Sequence, residues 1–188
     1  WWDLTRPEWK GKILMNDPLS MSETLGTLIA MINHSGDMAA SYKNEFGTTL
    51  KTRKGETAGH EFIRRLLAND PVFMPSSDDV IEALGQGNQA VVGISVTPKL
   101  RNVILKNYPI KVAWKIQPAL GVSSKAYLVM LRKAPHPNAT KLFIKWMMGD
   151  NKAGEGYEPF YVPGSFAGRL DVPPPPSTPA FSEMKIWS

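Results

Sequence analysis

Three histidines, His34, His60 and His136, are the first candidates for metal or acid–base chemistry. None has a second histidine three or four residues away, so a helical metal site of the HExxH kind is absent. His136 stands between two prolines and reads as a loop or cap residue. The chain has no cysteine, which excludes disulfides, thiolate catalysis and cysteine-based zinc sites. It has no G-x-S-x-G elbow and no glycine-rich phosphate loop ending in lysine. Gly85-Gln86-Gly87 precedes a strand, where a dinucleotide fingerprint would follow one. Asp78-Asp79 is a carboxylate pair, but acids in the first turn of a helix favour its dipole and need no catalytic explanation. These residues assemble no catalytic constellation, so no enzymatic activity and no cofactor are expected.

A binding site is better supported. Ser20-Met21-Ser22-Glu23 falls between an apolar strand and an apolar helix, at the place where open α/β sheets hold ligands. Free backbone N–H groups, two hydroxyls and the positive end of a helix suit a carboxylate, phosphate or phosphonate. The competing reading makes Ser20 the cap of that helix and Glu23 its capping-box partner. Ser95 and Thr97, with Pro98 after them, form a second polar helix opening at a strand exit. Both openings are expected to face one crevice.

The elements that must carry these residues follow from pattern. Ile13-Leu14-Met15 is a short strand stopped by Asn16-Asp17-Pro18. Leu25, Leu28, Ile29 and Ile32 repeat at helical spacing until Gly36 supplies a stop. Asp37 caps a second helix through Phe46, ended by Gly47, and a third runs over 59–68 with Phe62, Ile63, Leu66 and Leu67 on one face. Ser77 opens a short helix with Val80, Ile81 and Leu84. Residues 89–96 read as a strand buried on both faces, as in a parallel sheet. Pro98 opens a helix to 106, strands are expected at 110–116 and 126–131, and Asn138 caps a helix through Met148 that Gly149 ends. Helices alternate with strands, which is the α/β class. Beyond 154 the prolines, above all Pro173 to Pro176, indicate polyproline II or coil.

With 188 residues there is room for one domain and little more. The net charge of +5 is distributed unevenly. Residues 1–98 carry 9 Lys/Arg and 12 Asp/Glu, a net −3; residues 99–146 carry 10 and none; residues 147–188 carry 3 and 5, a net −2. The basic run alternates with apolar residues such as Val112, Trp114, Leu128 and Phe143, so its charges scatter around a lobe and do not track a phosphate backbone. It reads as a solvated face paired with acids elsewhere, and no nucleic-acid partner is expected. No window approaches 18 apolar residues. The opening Trp1-Trp2-Asp3 carries no signal-peptide pattern and reads as the middle of a longer protein.

Several segments, in order, resemble a known family. Trp2-Asp3-Leu4, Pro7-Glu8-Trp9-Lys10-Gly11-Lys12-Ile13 and Asp17-Pro18 are similar to the start of the second lobe of extracellular solute-binding proteins of ABC importers, in the branch with iron(III), polyamine and phosphonate binders. The resemblance continues through Val80-x-x-Ala83-Leu84-x-x-Gly87, Val92-Gly93, and Pro118 with Gly121. It runs on through Ala134-Pro135-His136-Pro137-Asn138-Ala139, Leu142-Phe143-Ile144-Lys145-Trp146 and Gly168-Arg169-x-Asp171-Val172-Pro173, so it spans nearly the whole chain. It implies one lobe of a type II periplasmic-binding-protein fold, a three-layer arrangement with a mixed, mostly parallel sheet. The lobe would occupy residues 1–153, including the helix 138–148, with a Pro-rich tail at 154–188 and the first lobe absent.

By the same resemblance the protein closes on a small solute, anionic or metal-complexed, and delivers it to a membrane permease. The location implied is periplasmic or extracellular, with or without a lipid anchor. Ser20, Ser22, Glu23, Ser95, Thr97 and Gly121 are the ligand-binding set it implies on this chain. Ser95 and Thr97 fall near the position where iron binders carry adjacent tyrosines; Tyr108 and Tyr127 are isolated here. Effector-binding domains of some transcription regulators share the bilobal fold and are the alternative. Trp1, Trp2, Trp9, Phe181 and Trp187 lie near the chain ends, and their exposure would call for a partner surface, either the missing lobe or a second copy.

Overall fold

Ile13–Asn16 forms the central strand, β1, and all four of its residues are buried. The structure is a computed structural model that describes residues 1–87, 91–150, 152, 154–169 and 171–187. On one side β1 pairs in parallel with Val72–Met74, β2, and on the other with Val92–Ile94, β3, giving the order β2-β1-β3. Parallel neighbours need long crossovers. The first holds Ser22–Asn33 (α1), Ser35–Phe46 (α2) and Ala58–Ala68 (α3); the second holds Ser77–Gly85 (α4). After β3 a 3₁₀ turn at Thr97–Lys99 leads into Leu100–Leu105, α5.

Side chains alternate across the sheet. Ile13 and Met15 face a core built with Ala30 and Met31 of α1, Met38 of α2, and Phe62 and Leu66 of α3. Gly93 meets α4 on the opposite face: a Cβ there would lie 2.4 Å from Leu84 Cδ1 and 2.9 Å from Val80 Cγ1. Helices therefore cover both faces, and the α/β class expected from the alternation of elements holds, as does the three-layer arrangement that the resemblance implies. Helices α1 and α3 approach closely at Gly59, where a Cβ would sit 2.3 Å from the Met31 carbonyl oxygen and 2.5 Å from the Ile32 nitrogen. Backbone cannot yield as a side chain can, so Gly59→Ala is expected to cost about 1–3 kcal/mol by overpacking. An unchanged urea midpoint would show that α1 and α3 do not approach this closely.

The described chain divides into two compact units, Trp1–Ser123 with Met184–Ser188, and Ser124–Glu183. In the first unit Trp2 and Trp187 are 1% and 3% exposed, and Trp1 and Trp9 pack against the same core. The chain-end tryptophans thus find their cover within the unit, and the premise that they need a partner surface does not hold for them. Phe181, in the second unit, is 49% exposed. The second unit contains Pro137–Met148, α6, and a small cluster around Tyr157 and Val172.

Several local expectations are corrected. The Ser20–Glu23 capping box does not form: α1 begins at Ser22 with Met21 at its N-cap and no side-chain cap bond. Asp17 organises that loop, its carbonyl accepting from the Ser20 and Met21 N–H groups and its carboxylate from the Leu19 N–H. Gly36 is not a stop. α1 ends at Asn33, His34 serves both as its C-cap and as the N-cap of α2, and Gly36 and Asp37 lie in the first turn of α2. α3 starts at Ala58, where Thr57 and His60 form a true capping box.

At α6 the N-cap is His136, with Pro137 rather than Asn138 opening the helix, because Pro fits the first helical position. The strand at 89–96 shortens to Val92–Ile94, half-buried because it is an edge; residues 88–90 lie outside the described ones. The strands expected at 110–116 and 126–131 are not formed. Ile110, Val112 and Trp114 instead pack on Ile81, Leu100 and Val103, while Tyr127 to Leu131 are exposed.

Candidate functional site

The strand order fixes where a ligand could sit. From β1 the chain crosses to β2 on one side, and from β2 it crosses back past β1 to β3 on the other. The direction reverses between β1 and β3, and the carboxyl ends of those two strands flank the crevice that such a reversal opens. Asn16 ends β1 and Ser95 follows β3; each stands one residue beyond the paired Met15 and Ile94.

The β1 side carries Ser20, Ser22 and Glu23. Ser20 is exposed and donates its hydroxyl to the Asp17 carbonyl at 3.1 Å, and Ser22 donates to Glu23 Oε2 at 3.1 Å. Both hydroxyls therefore have local acceptors, and Glu23 places a carboxylate in the first turn of α1. Gly121 lies further along α1: a Cβ there would be 3.7 Å from Thr27 Oγ1, and that hydroxyl donates to the Glu23 carbonyl. Gly121 thus flanks the second turn and not the opening. On the β3 side Thr97 is half-buried at the start of its 3₁₀ turn, and Ser95 Oγ is buried with no hydrogen-bond partner.

The β2 exit adds a polar group that sequence reasoning did not connect to the site. Ser76 caps α4 by accepting from the Asp79 N–H, and the buried Ser77 donates its hydroxyl to Asn16 Oδ1 at 2.9 Å. Asn16 itself is 1% exposed, and its Nδ2 has no partner. In sequence it looked only like a turn residue that stops an apolar strand. The available signal was its position, a polar residue closing the central strand of a parallel sheet.

The charge balance at these strand ends is acidic. Asp17, Glu23, Asp78 and Asp79 stand in the loops and first turns, against the ammonium of Lys99 and the guanidinium of Arg101 near Asp78. Lys99 bonds to Asp78 at 2.5 Å and holds that carboxyl below the usual carboxylate range, with help from Asn102. Asp78 and Asp79 thus serve the helix start and its neighbours, as their place in a first turn suggests. Lys106 is likewise paired, with Glu82. No group of three or more His, Cys, Asp or Glu is placed to hold a metal ion among the described residues. No helix among them is long and apolar enough to cross a membrane.

Against known proteins, residues 1–156 match a family model described as bacterial extracellular solute-binding protein. No curated protein and no solved structure matches the chain.

Proposed function

The chain belongs to the bacterial extracellular solute-binding proteins, and from that premise we propose that it is the solute-binding component of an ABC-type importer. The observation that carries this reading is the reversal of strand order between β1 and β3, with polar helix openings on both sides of the crevice. Ser20, Ser22, Glu23, Ser95 and Thr97 line that crevice in our reading, with Gly121 on its flank. A further lobe from outside this chain would form the opposite wall, and a membrane permease would receive the solute. The extracellular setting is that of the family; a lipid anchor is compatible with it.

The residue types in the sequence favour an anionic organic solute over a metal-complexed one, but the local charge balance supports the second. A bare polyanion would meet Asp17, Glu23 and Asp79, whereas a metal complex, whose cation offsets the charge of its organic ligand, would meet much less repulsion there. The surplus of +5 does not oppose this: of its basic run at 99–146, Lys99 is held by Asp78 and Lys106 by Glu82 among the described residues.

Calorimetric titration tests the reading. Gallium(III) citrate should give saturable one-to-one heats and methylphosphonate weaker ones. The variant Thr97→Ala should lower affinity about fivefold, at about 1 kcal/mol for the lost hydrogen bond. Heats that never saturate for either solute, with the variant indistinguishable from the parent, would overturn it.

A further inference from the structure

Two buried polar groups at the carboxyl ends of adjacent strands lack partners: the Asn16 side-chain N–H₂ and the Ser95 hydroxyl. Such a group costs stability when it is left unpaired in the interior, and native structures retain few of them. Here the two occur together, each one residue past the register pair Met15 and Ile94, at the point where the strand order reverses. Asn16 is also held in place. Its Oδ1 accepts from Ser77 Oγ in the first turn of α4, so the amide is oriented and the Nδ2 hydrogens remain to donate.

We propose that Asn16 and Ser95 form a two-donor seat for a single acceptor oxygen of the transported solute. This deepens the solute-binding reading and rests on it. The chemistry follows from the groups present. Nδ2 can only donate, and a serine hydroxyl can donate to the same atom, so the complementary partner is an oxygen with two free lone pairs. A carboxylate or phosphonate oxygen meets that requirement, and an ammonium does not. Both donors are neutral, so the seat itself adds no charge to the acid-rich strand ends. It selects for an oxygen at one point of the solute and leaves positive charge elsewhere on that solute free to face Asp17, Glu23 and Asp79. A site built to hydrogen-bond an oxygen discriminates strongly against analogues lacking it, since the buried donors would then stay unpaired.

The test uses the whole chain, labelled with ¹⁵N, titrated separately with gallium(III) citrate, methylphosphonate and spermidine. The Asn16 side-chain amide resonances should shift saturably with at least one of the two oxygen-bearing probes and stay fixed with spermidine, which has no oxygen. Ser95→Ala should weaken binding of that probe about tenfold, the effect of one hydrogen bond to a charged oxygen. It should do so without lowering the thermal midpoint, because the variant removes an unpaired hydroxyl.

Saturable shifts at Ser22 and Thr97 with the Asn16 amide unmoved would overturn the seat and leave the solute-binding reading standing. No saturable shift anywhere with any probe would overturn both. A Ser95→Ala variant that loses thermal stability but keeps its affinity, or a spermidine-induced shift at Asn16, would also overturn the seat, by showing a structural role for the serine or the wrong ligand chemistry for the amide.

Discussion

Trp2→Ala should lower the stability of the first unit by about 3–5 kcal/mol, the range for emptying a large buried aromatic site. Trp2 is 1% exposed and sits where three helices converge. Its ring meets Phe62 of α3 edge-on at 5.3 Å and Tyr42 of α2 at 4.9 Å, and the Arg65 guanidinium lies 6.0 Å from its centre. Its indole N–H donates to the Met38 carbonyl at 2.8 Å. Alanine removes the volume, two edge-to-face contacts and the donor together, and the cavity cannot collapse because α1 and α3 are already in backbone contact at Gly59. Domains of this size have about 5–15 kcal/mol in total, so the variant would be close to unfolding. Trp2→Phe separates the contributions: it keeps most of the ring and should cost about 1–3 kcal/mol, for the lost indole volume and the lost bond to the Met38 carbonyl, which keeps its partner within α2. Urea midpoints with unchanged slopes would measure both. Equal losses for the two variants would show that packing of the indole is not what matters there.

The same convergence explains why the helices were legible in sequence. Phe62 and Leu66 recur at helical spacing and are buried as that spacing predicts. On α1 the buried face differs from the expected one: Leu25 and Ile29 are 40% and 46% exposed, and the adjacent Ala30 and Met31 carry the burial. Helix ends were less legible, since Ser20 and Glu23 have the capping-box spacing but the Asp17 carbonyl takes the Ser20 N–H that the Glu23 side chain would need. A three-residue strand such as β2 gives no pattern to read, and its Val72 and Phe73 are half-exposed at an edge. The opposite error arose at Ile110, Val112 and Trp114, whose alternation correctly reports one buried side but says nothing about strand pairing. A period of two is a statement about faces; a sheet also requires a neighbour.

For the site, the residue types at the β1 and β3 exits were visible in sequence, and their adjacency was not. Nothing local says that β3 lies beside β1 instead of β2, so the reversal of strand order emerges only from the topology. Asn16 shows the consequence. As one letter after an apolar run it signals a turn, and only the pairing of its Oδ1 with Ser77, five elements later, shows that it is buried and fixed. Ser20 and Ser22 show the reverse case: their types suit an anion, but local acceptors and the Glu23 carboxylate already occupy their hydroxyls.

Trp187→Ala is the second substitution with an expected cost of about 3–5 kcal/mol, although the residue is far from the sheet in sequence. The chain returns to the first unit at Met184, and Leu120 N–H donates to the Lys185 carbonyl at 2.8 Å while Trp187 N–H donates to the Gly121 carbonyl at 2.9 Å. The Trp187 ring is 3% exposed, joins the core that includes Ala119, and stacks on His34 at 5.4 Å with an 8° tilt. Its indole N–H reaches Asp37 Oδ2 at 3.3 Å, and Lys185 Nζ reaches the same oxygen at 3.1 Å. These two donors, the indole first, hold the Asp37 carboxyl below the usual carboxylate range.

A folded-state pKa that is depressed contributes stability above the unfolded pKa and loses it as pH falls through the folded value. The Asp37 contribution is therefore complete at neutral pH and vanishes in acid. Because the pair is largely exposed, packing of the indole and not the charge should dominate the loss. Trp187→Phe distinguishes the two, keeping an aromatic ring against His34 while freeing Asp37 of its strongest donor. The Asp37 pKa, followed by carboxyl NMR, should rise toward the ordinary range with only a modest fall in urea midpoint. If Trp187→Ala left the midpoint unchanged, the return of the chain at Met184 would be a decoration of the first unit and not part of its core.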